Sequence, residues 1–261
     1  MEHVKIVSLY SGSSGNSTLI ETKDGSLLID AGKSARALTG ALRQVGSDAS
    51  SIKAVFITHE HTDHISALEV FLKKNPIPVH ITAPSAMAVQ SPEGSRLRSA
   101  LRVHPPIFTE RVGSLTVTSF PLSHDSGMCV GYKITTDGGY SFAIATDTGY
   151  VTETMVSEMS GCDAVVIESN HDVGMLRVGP YPAELKRRIM SNRGHLSNED
   201  CASFAKRLAA SGTRSFMLAH LSRENNRPEF ALCSAKKELS DFSDVRICVA
   251  MPEAETVLVD F

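Results

Sequence analysis

The chain has 261 residues, 42% of them apolar and 21% charged, with a formal net charge of -3. That is enough chain to bury a substantial core, and the mild acidity excludes wholesale coating of nucleic acid while allowing a local basic patch. The cysteines at 129, 162, 201, 233 and 248 are odd in number and scattered without a CxxC pair, which excludes a zinc ribbon or disulfide scaffold and points to a reduced, cytoplasmic setting.

The first third reads as strand-rich. VKIVSLY is an apolar run that ends at the Gly/Ser turn SGSSGNS, and STLIETKDGSLLIDAG reads as a hairpin turning at Asp24-Gly25. A helix is expected over about 34–45, capped by Ser34 and stopped by Gly46. AVFITH is a short buried strand, ISALEVFLKKN has helical spacing, PVHITA is a strand and SAMAVQ a helix; residues 91–112 carry no clear pattern. SLTVTSFPLSH, MCVGYKITTDGG and YSFAIATD then form a meander. After them come a helix (TETMVSEMS), a buried strand (DAVVIES) and helices around YPAELKRRIMS and NEDCASFAKRLAASG. The strand SFMLAH, the helix PEFALCSAKKELSD and two short strands close the chain. Two similar halves suggest a pair of packed sheets with helices outside, in one domain over 1–261. No run approaches a membrane span and no signal-peptide layout opens the chain, so no membrane partner is expected.

The strongest chemical signal is THEHTDHIS, which sets His59, His61, Asp63 and His64 between an apolar strand and a helix. A strand end feeding a loop can aim several side chains into one cavity, and imidazole with carboxylate suits Zn, Mn or Fe, whereas calcium prefers an all-oxygen shell. Further ligands should come from later strand ends, where His124, Asp147 and His220 each follow an apolar run. The tripeptide HLS occurs twice, at His195 and at His220, in different settings. His220 ends a strand, while His195 follows the polar loop SNRG and precedes a helix that Ser197 is placed to cap.

With these residues the chain resembles the metallo-β-lactamase-fold hydrolases. THEHTDH, His124, Asp147, His220 and the LLIDAG hairpin end match that family's ordered motifs over essentially the whole chain. The resemblance implies a four-layer αβ/βα sandwich with a dinuclear site between the sheets. It would give His59, His61 and His124 to one metal and Asp63, His64 and His220 to the second, with Asp147 bridging. A bridging aspartate makes an oxygen-rich site suited to phosphate, and two such metals can activate a hydroxide for in-line displacement. In the phosphodiesterase branch of the fold, which includes ribonuclease Z, a GH-S histidine acts as proton donor instead of metal ligand; GHLSN resembles that motif, which makes His195 the general acid and Glu168 its orienting carboxylate. Asp63 is counted with the catalytic residues as well as the ligands.

Between Met175 and His195 the chain carries Arg177, Lys186, Arg187, Arg188 and Arg193 against a single Glu184, which suits a polyanion. Arg96, Arg98 and Arg102 form a weaker basic stretch. Only 72 residues separate Asp147 from His220, too few for the insertion domain of ribonuclease J, and only 22 separate His124 from Asp147, too few for the tRNA-gripping arm of ribonuclease Z. SGSSGNS, THEHTDHISAL, ATDTGY, ESNHD, GPYP with ELKRRI, GHLSN and AHLSRENN are most similar to the compact YycJ/WalJ-type exonucleases. That resemblance implies a 5′-to-3′ exonuclease on double-stranded DNA, with DNA favoured over RNA as partner. Arg187, Arg188, Arg193 and His171 are the expected substrate contacts, and Asn16 is expected to face the site. The rival reading is a small-molecule phosphodiesterase or thioesterase on the same metals.

Overall fold

The computed structural model describes residues 3–260. The chain opens with strands β1 (Val4–Tyr10), β2 (Ser17–Thr22) and β3 (Gly25–Ile29), then α1 (Ala35–Gln44), β4 (Ile52–Phe56), α2 (Thr62–Ile65), α3 (Leu68–Phe71), β5 (Val79–Thr82), α4 (Ala83–Ala88), α5 (Arg96–Ala100) and β6 (Leu101–His104). The second sheet begins with β7 (Thr109–Val112), β8 (Leu115–Pro121), β9 (Val130–Thr136) and β10 (Ser141–Ala145), followed by α6 (Glu153–Met159) and β11 (Ala164–Glu168). Helices α7 (Val173–Val178), α8 (Ala183–Ile189) and α9 (Asn198–Ala210) lead to β12 (Ser215–Ala219), α10 (Pro228–Glu238), β13 (Arg246–Val249) and β14 (Thr256–Asp260).

Two seven-stranded sheets result, ordered β14-β1-β2-β3-β4-β5-β6 and β13-β12-β11-β10-β9-β8-β7. Side chains alternate across each strand, so each sheet buries both faces. Val166 of β11 and Leu27 of β3 meet in the layer between the sheets, together with Phe56, Tyr132 and Ile134. Their neighbours point outward: Leu28 packs with Leu38 and Leu42 of α1, and Val165 packs with Phe204 and Leu208 of α9. Three apolar layers between helix, sheet, sheet and helix make the four-layer sandwich.

Most expected elements form where the pattern placed them, and three differ. The hairpin loop is Lys23-Asp24, with Gly25 already paired to Thr22 and held at φ 130°. Of the helix expected over ISALEVFLKKN only the short α3 forms, and α2 lies before it over Thr62–Ile65. The two are kept apart because Ala67 N–H donates to Ala31 and the Ser66 hydroxyl to Lys33, both near the end of β3. The short helix α7, capped by Asp172, has no clear counterpart in the sequence pattern. The halves are also not sequential: β14 returns to the first sheet and pairs antiparallel with β1.

Parallel pairing of β3 with β4, and of β10, β11 and β12, brings their carboxyl ends to one edge of the sandwich. Crevices outside such ends are where open α/β sheets place their sites.

Candidate metal centre and its proton-donor histidine

Each loop at this edge leaves its strand sharply. Asp30, Asp147 and His220 all have left-handed backbones, with φ of 61°, 63° and 58°. A non-glycine residue held there costs of order 1–3 kcal/mol and persists only where surrounding bonds over-determine it. Those bonds are present: Asp30 accepts from the Thr58 N–H at 2.8 Å and the Thr58 hydroxyl at 2.9 Å, and the Ser11 hydroxyl accepts from the His220 N–H at 2.7 Å.

Nearly every histidine here has one ring nitrogen taken by a supporting group and the other turned to a common centre. His64 Nδ1 bonds Asp30 at 2.8 Å, His220 Nδ1 bonds Glu168 Oε1 at 2.8 Å, and His124 Nδ1 bonds the Gly194 carbonyl at 3.2 Å. His59 Nδ1 lies 3.1 Å from the Thr58 hydroxyl. Outer partners of this kind fix the tautomer of metal-binding imidazoles. Asp147 sits between the groups, with Oδ2 3.4 Å from His64 Nε2 and Oδ1 3.8 Å from His124 Nε2. Asp63 lies 3.4 Å from His64 Nε2 and 3.8 Å from His220 Nε2. His59, His61 and His124 therefore form one group able to hold a cation, and Asp63, His64 and His220 form another.

The residues fit divalent metal. His59 Nε2, His220 Nε2 and Asp147 Oδ2 are buried and make no hydrogen bond, although buried polar atoms are normally satisfied. The charges agree. Burial alone would depress His64, yet the Asp30 and Asp147 carboxylates push it up to about 10. His220 is likewise raised well above its ordinary value, against its burial, by Asp147, Asp63 and Glu168. His59 goes the other way, lowered by burial and by the neighbouring His64. Buried carboxylates keep protons on His64 and His220, and a cation would replace those protons.

His195 stands beside this cluster. Its Nδ1 is 2.7 Å from Glu168 Oε1, the same oxygen that holds His220. Glu168 Oε2 accepts from the Thr148 and Leu196 N–H groups at 2.9 and 3.2 Å, so one buried carboxylate organises four groups. It stays below the usual carboxylate range despite complete burial, because His195 and His220 stabilise its charge. His195 is raised in turn: burial lowers it, and the Glu168 carboxylate overrides that.

The loop before His195 is latched to the loop carrying His124. The Ser123 hydroxyl donates to the Asn192 carbonyl at 2.7 Å, and the Arg193 guanidinium donates twice to the His124 carbonyl at 3.2 Å. A Cβ on Gly194 would lie 2.1 Å from the Ile189 carbonyl oxygen, so only glycine permits this approach. Arg193, expected as a substrate contact, is thus committed to positioning His124. Arg188 pairs with Asp125 at 2.5 Å, and Arg187 is exposed. His171 is buried, its backbone bridges to Ser197, and it lines neither cleft beside the site. Arg102 lies in a separate groove with His80 and His104. Asn16 does face the cluster, 3.2 Å from Asp63 and 3.1 Å from His64. Asp30 and Asp125 were not among the expected site residues. The LLIDAG motif carries the first, whereas adjacency to His124 was the only signal for the second.

Two clefts meet here. A broad one of about 800 Å³ opens past His61 and Asp63, and a narrow one of about 180 Å³ opens past His195 and His220, with Arg188 lining both.

A paired His/Asp cluster at the carboxyl edge of two packed sheets defines a metal-dependent hydrolase of the metallo-β-lactamase fold. Comparison with known proteins agrees. The beta-lactamase superfamily domain model matches residues 26–221. Exodeoxyribonuclease WalJ of Streptococcus pneumoniae is 35% identical over 97% of this chain and 96% of its own. Exodeoxyribonuclease YycJ of Bacillus anthracis is 36% identical over 89% of this chain and 88% of its own. Among solved structures, the metallo-beta-lactamase fold protein YhfI of Bacillus subtilis superposes with a TM-score of 0.73 at 19% identity, covering 98% of this chain and 99% of its own. The chain belongs to the WalJ/YycJ family of the β-lactamase superfamily. No described helix is long and apolar enough to cross a membrane.

Proposed function

We propose that the protein is a dinuclear-metal phosphodiesterase working as a 5′-to-3′ exonuclease on double-stranded DNA. The observation that carries the reading is the shared Glu168 oxygen, which ties a solvent-reachable imidazole, His195, to a buried one, His220, beside the metal-type cluster. A thioesterase needs no such donor for its thiolate, whereas the alkoxide leaving from a phosphodiester does. The exodeoxyribonuclease names of the two relatives support the DNA substrate.

In this reading His59, His61 and His124 hold one ion, Asp63, His64 and His220 a second, and Asp147 reaches both. The ions are Zn, Mn or Fe, the metals suited to imidazole and carboxylate. When bound, divalent metal supplies Lewis-acid stabilisation of phosphoryl charge and lowers the pKa of water. The chain's own groups do the rest. Glu168 fixes the His195 tautomer so that Nε2 carries the proton for the leaving oxygen, and Asp30 and Gly194 hold His64 and His124 in place. Arg187 and Arg188 steer the backbone.

The test is a panel of labelled DNA and RNA duplexes with defined 5′ ends, in chelator and then in added Mn or Zn. Metal-dependent shortening of duplex DNA from the 5′ end is the expected result. Hydrolysis of small esters alone, with every polymer intact, would overturn it.

A further inference from the structure

The two clefts differ in size by more than fourfold and in lining, and the reaction geometry gives each a job. In-line displacement puts the incoming oxygen and the leaving oxygen on opposite sides of phosphorus. The proton donor must stand on the leaving side. His195 lines the narrow cleft and not the broad one, so the leaving fragment belongs in the narrow cleft. That cleft is about 180 Å³, below the roughly 300 Å³ at which pockets for drug-sized ligands begin. Beside a cleft more than four times its size it is the tighter of the two, the side for a single unit and not for a chain. Its walls suit a base and sugar: Tyr181, Leu185, Ile189 and Leu221 supply apolar surface, and Asn170, Ser222 and the Arg188–Asp125 pair supply polar groups. The broad cleft of about 800 Å³ past His61 and Asp63 is left for the polymer.

We propose that the narrow cleft seats the terminal nucleoside as the leaving group, with its base against Tyr181, so that the cleft limits each cleavage to one unit. The inference rests on the nuclease reading and deepens it. With 5′-to-3′ polarity, the oxygen of water bonds to phosphorus as the bond from phosphorus to the terminal nucleoside's 3′-oxygen breaks. The 3′-oxygen takes the proton from His195, and the proton released by water returns His195 to its starting state. The released unit has a free 3′-hydroxyl, and the shortened strand keeps a 5′-phosphate. Tyr181 is a specificity residue here: it touches the base and no reacting atom.

The experiment measures the rate of first-unit release from duplex DNA in Mn for the wild type, Tyr181→Ala and Tyr181→Phe. Each is given a normal or an abasic 5′-terminal residue. Loss of one stacked base corresponds to about 5- to 150-fold. Tyr181→Ala is expected to slow release of the normal end by that factor, Tyr181→Phe to recover most of it, and the abasic end to be released slowly by wild type and Tyr181→Ala alike. Equal slowing of both ends would mark a structural role and overturn the proposal, as would no slowing at either. A strand left with a 5′-hydroxyl would also overturn it. Wild-type protein that shortens no DNA would fail the nuclease reading first, and this inference with it; shortening that ignores Tyr181 fails the inference alone.

Discussion

His195 and His220 begin the same tripeptide and bond the same Glu168 oxygen, at 2.7 and 2.8 Å, yet their surroundings give them different chemistry. His220 follows β12 with a left-handed backbone, is buried, and turns an unpartnered Nε2 toward Asp63. His195 follows a glycine and is partly open, although both histidines line the narrow cleft. One carboxylate can thus orient two imidazoles for two purposes, and what separates them is whether the second nitrogen faces a buried charge cluster or solvent.

The largest effects should come from removing either ring. His195→Ala is expected to lower kcat by about 10²–10⁴-fold while leaving bound metal per chain unchanged. His220→Ala is expected to lower metal content itself, read by atomic absorption after dialysis. Loss of metal in both variants would erase the distinction. Glu168→Gln should strike both sides at once, weakening metal affinity and turnover by about 10–100-fold each, since outer partners have effects of that size. A variant that lost turnover with metal affinity intact would show that His220 does not depend on Glu168.

A smaller and more selective effect is expected at Ser197, whose hydroxyl accepts from the Asp200 N–H and caps α9 just after His195. Ser197→Ala should cost about 1 kcal/mol in denaturant unfolding and lower kcat modestly, with metal content unaltered.

His80 is the reference for a buried histidine outside this site. Its Nδ1 bonds His104 at 3.0 Å and its ring stacks on Phe56, with no carboxylate among its bonded partners. Burial, then His104, depress it to about 4, opposite to His195 and His220. The folded value lies below the unfolded value of about 6.5, so the unfolded chain takes the proton first. Stability present above about pH 6.5 should fall toward pH 4, by up to about 1.4 kcal/mol per pH unit for this one proton. His80→Gln should flatten that slope in pH-dependent urea melts, and an unchanged slope would assign it elsewhere.

Local information sufficed for much of this molecule. Alternation and helical spacing mark most strands and helices because apolar periodicity is a property of neighbouring residues. The cluster at 59–64 is legible because its residues are adjacent, and His124, Asp147 and His220 because each ends an apolar run. Glu168 and His195 were legible through motif resemblance.

Other features are set by distant partners and leave little or no local trace. The break between α2 and α3 depends on carbonyls near the end of β3. Arg193 resembles any other basic residue until the His124 carbonyl is found beside it. Asp30 reads as a hairpin end until packing brings His64 within 2.8 Å of it. The sharing of one Glu168 oxygen by two histidines, and the unequal clefts on either side of Arg188, exist only once β11, β12 and α8 are packed together. The sequence by itself determined which groups could do chemistry, since side-chain type is local. Tertiary structure decided which nitrogen each histidine has left to use, because that depends on partners far away in the chain.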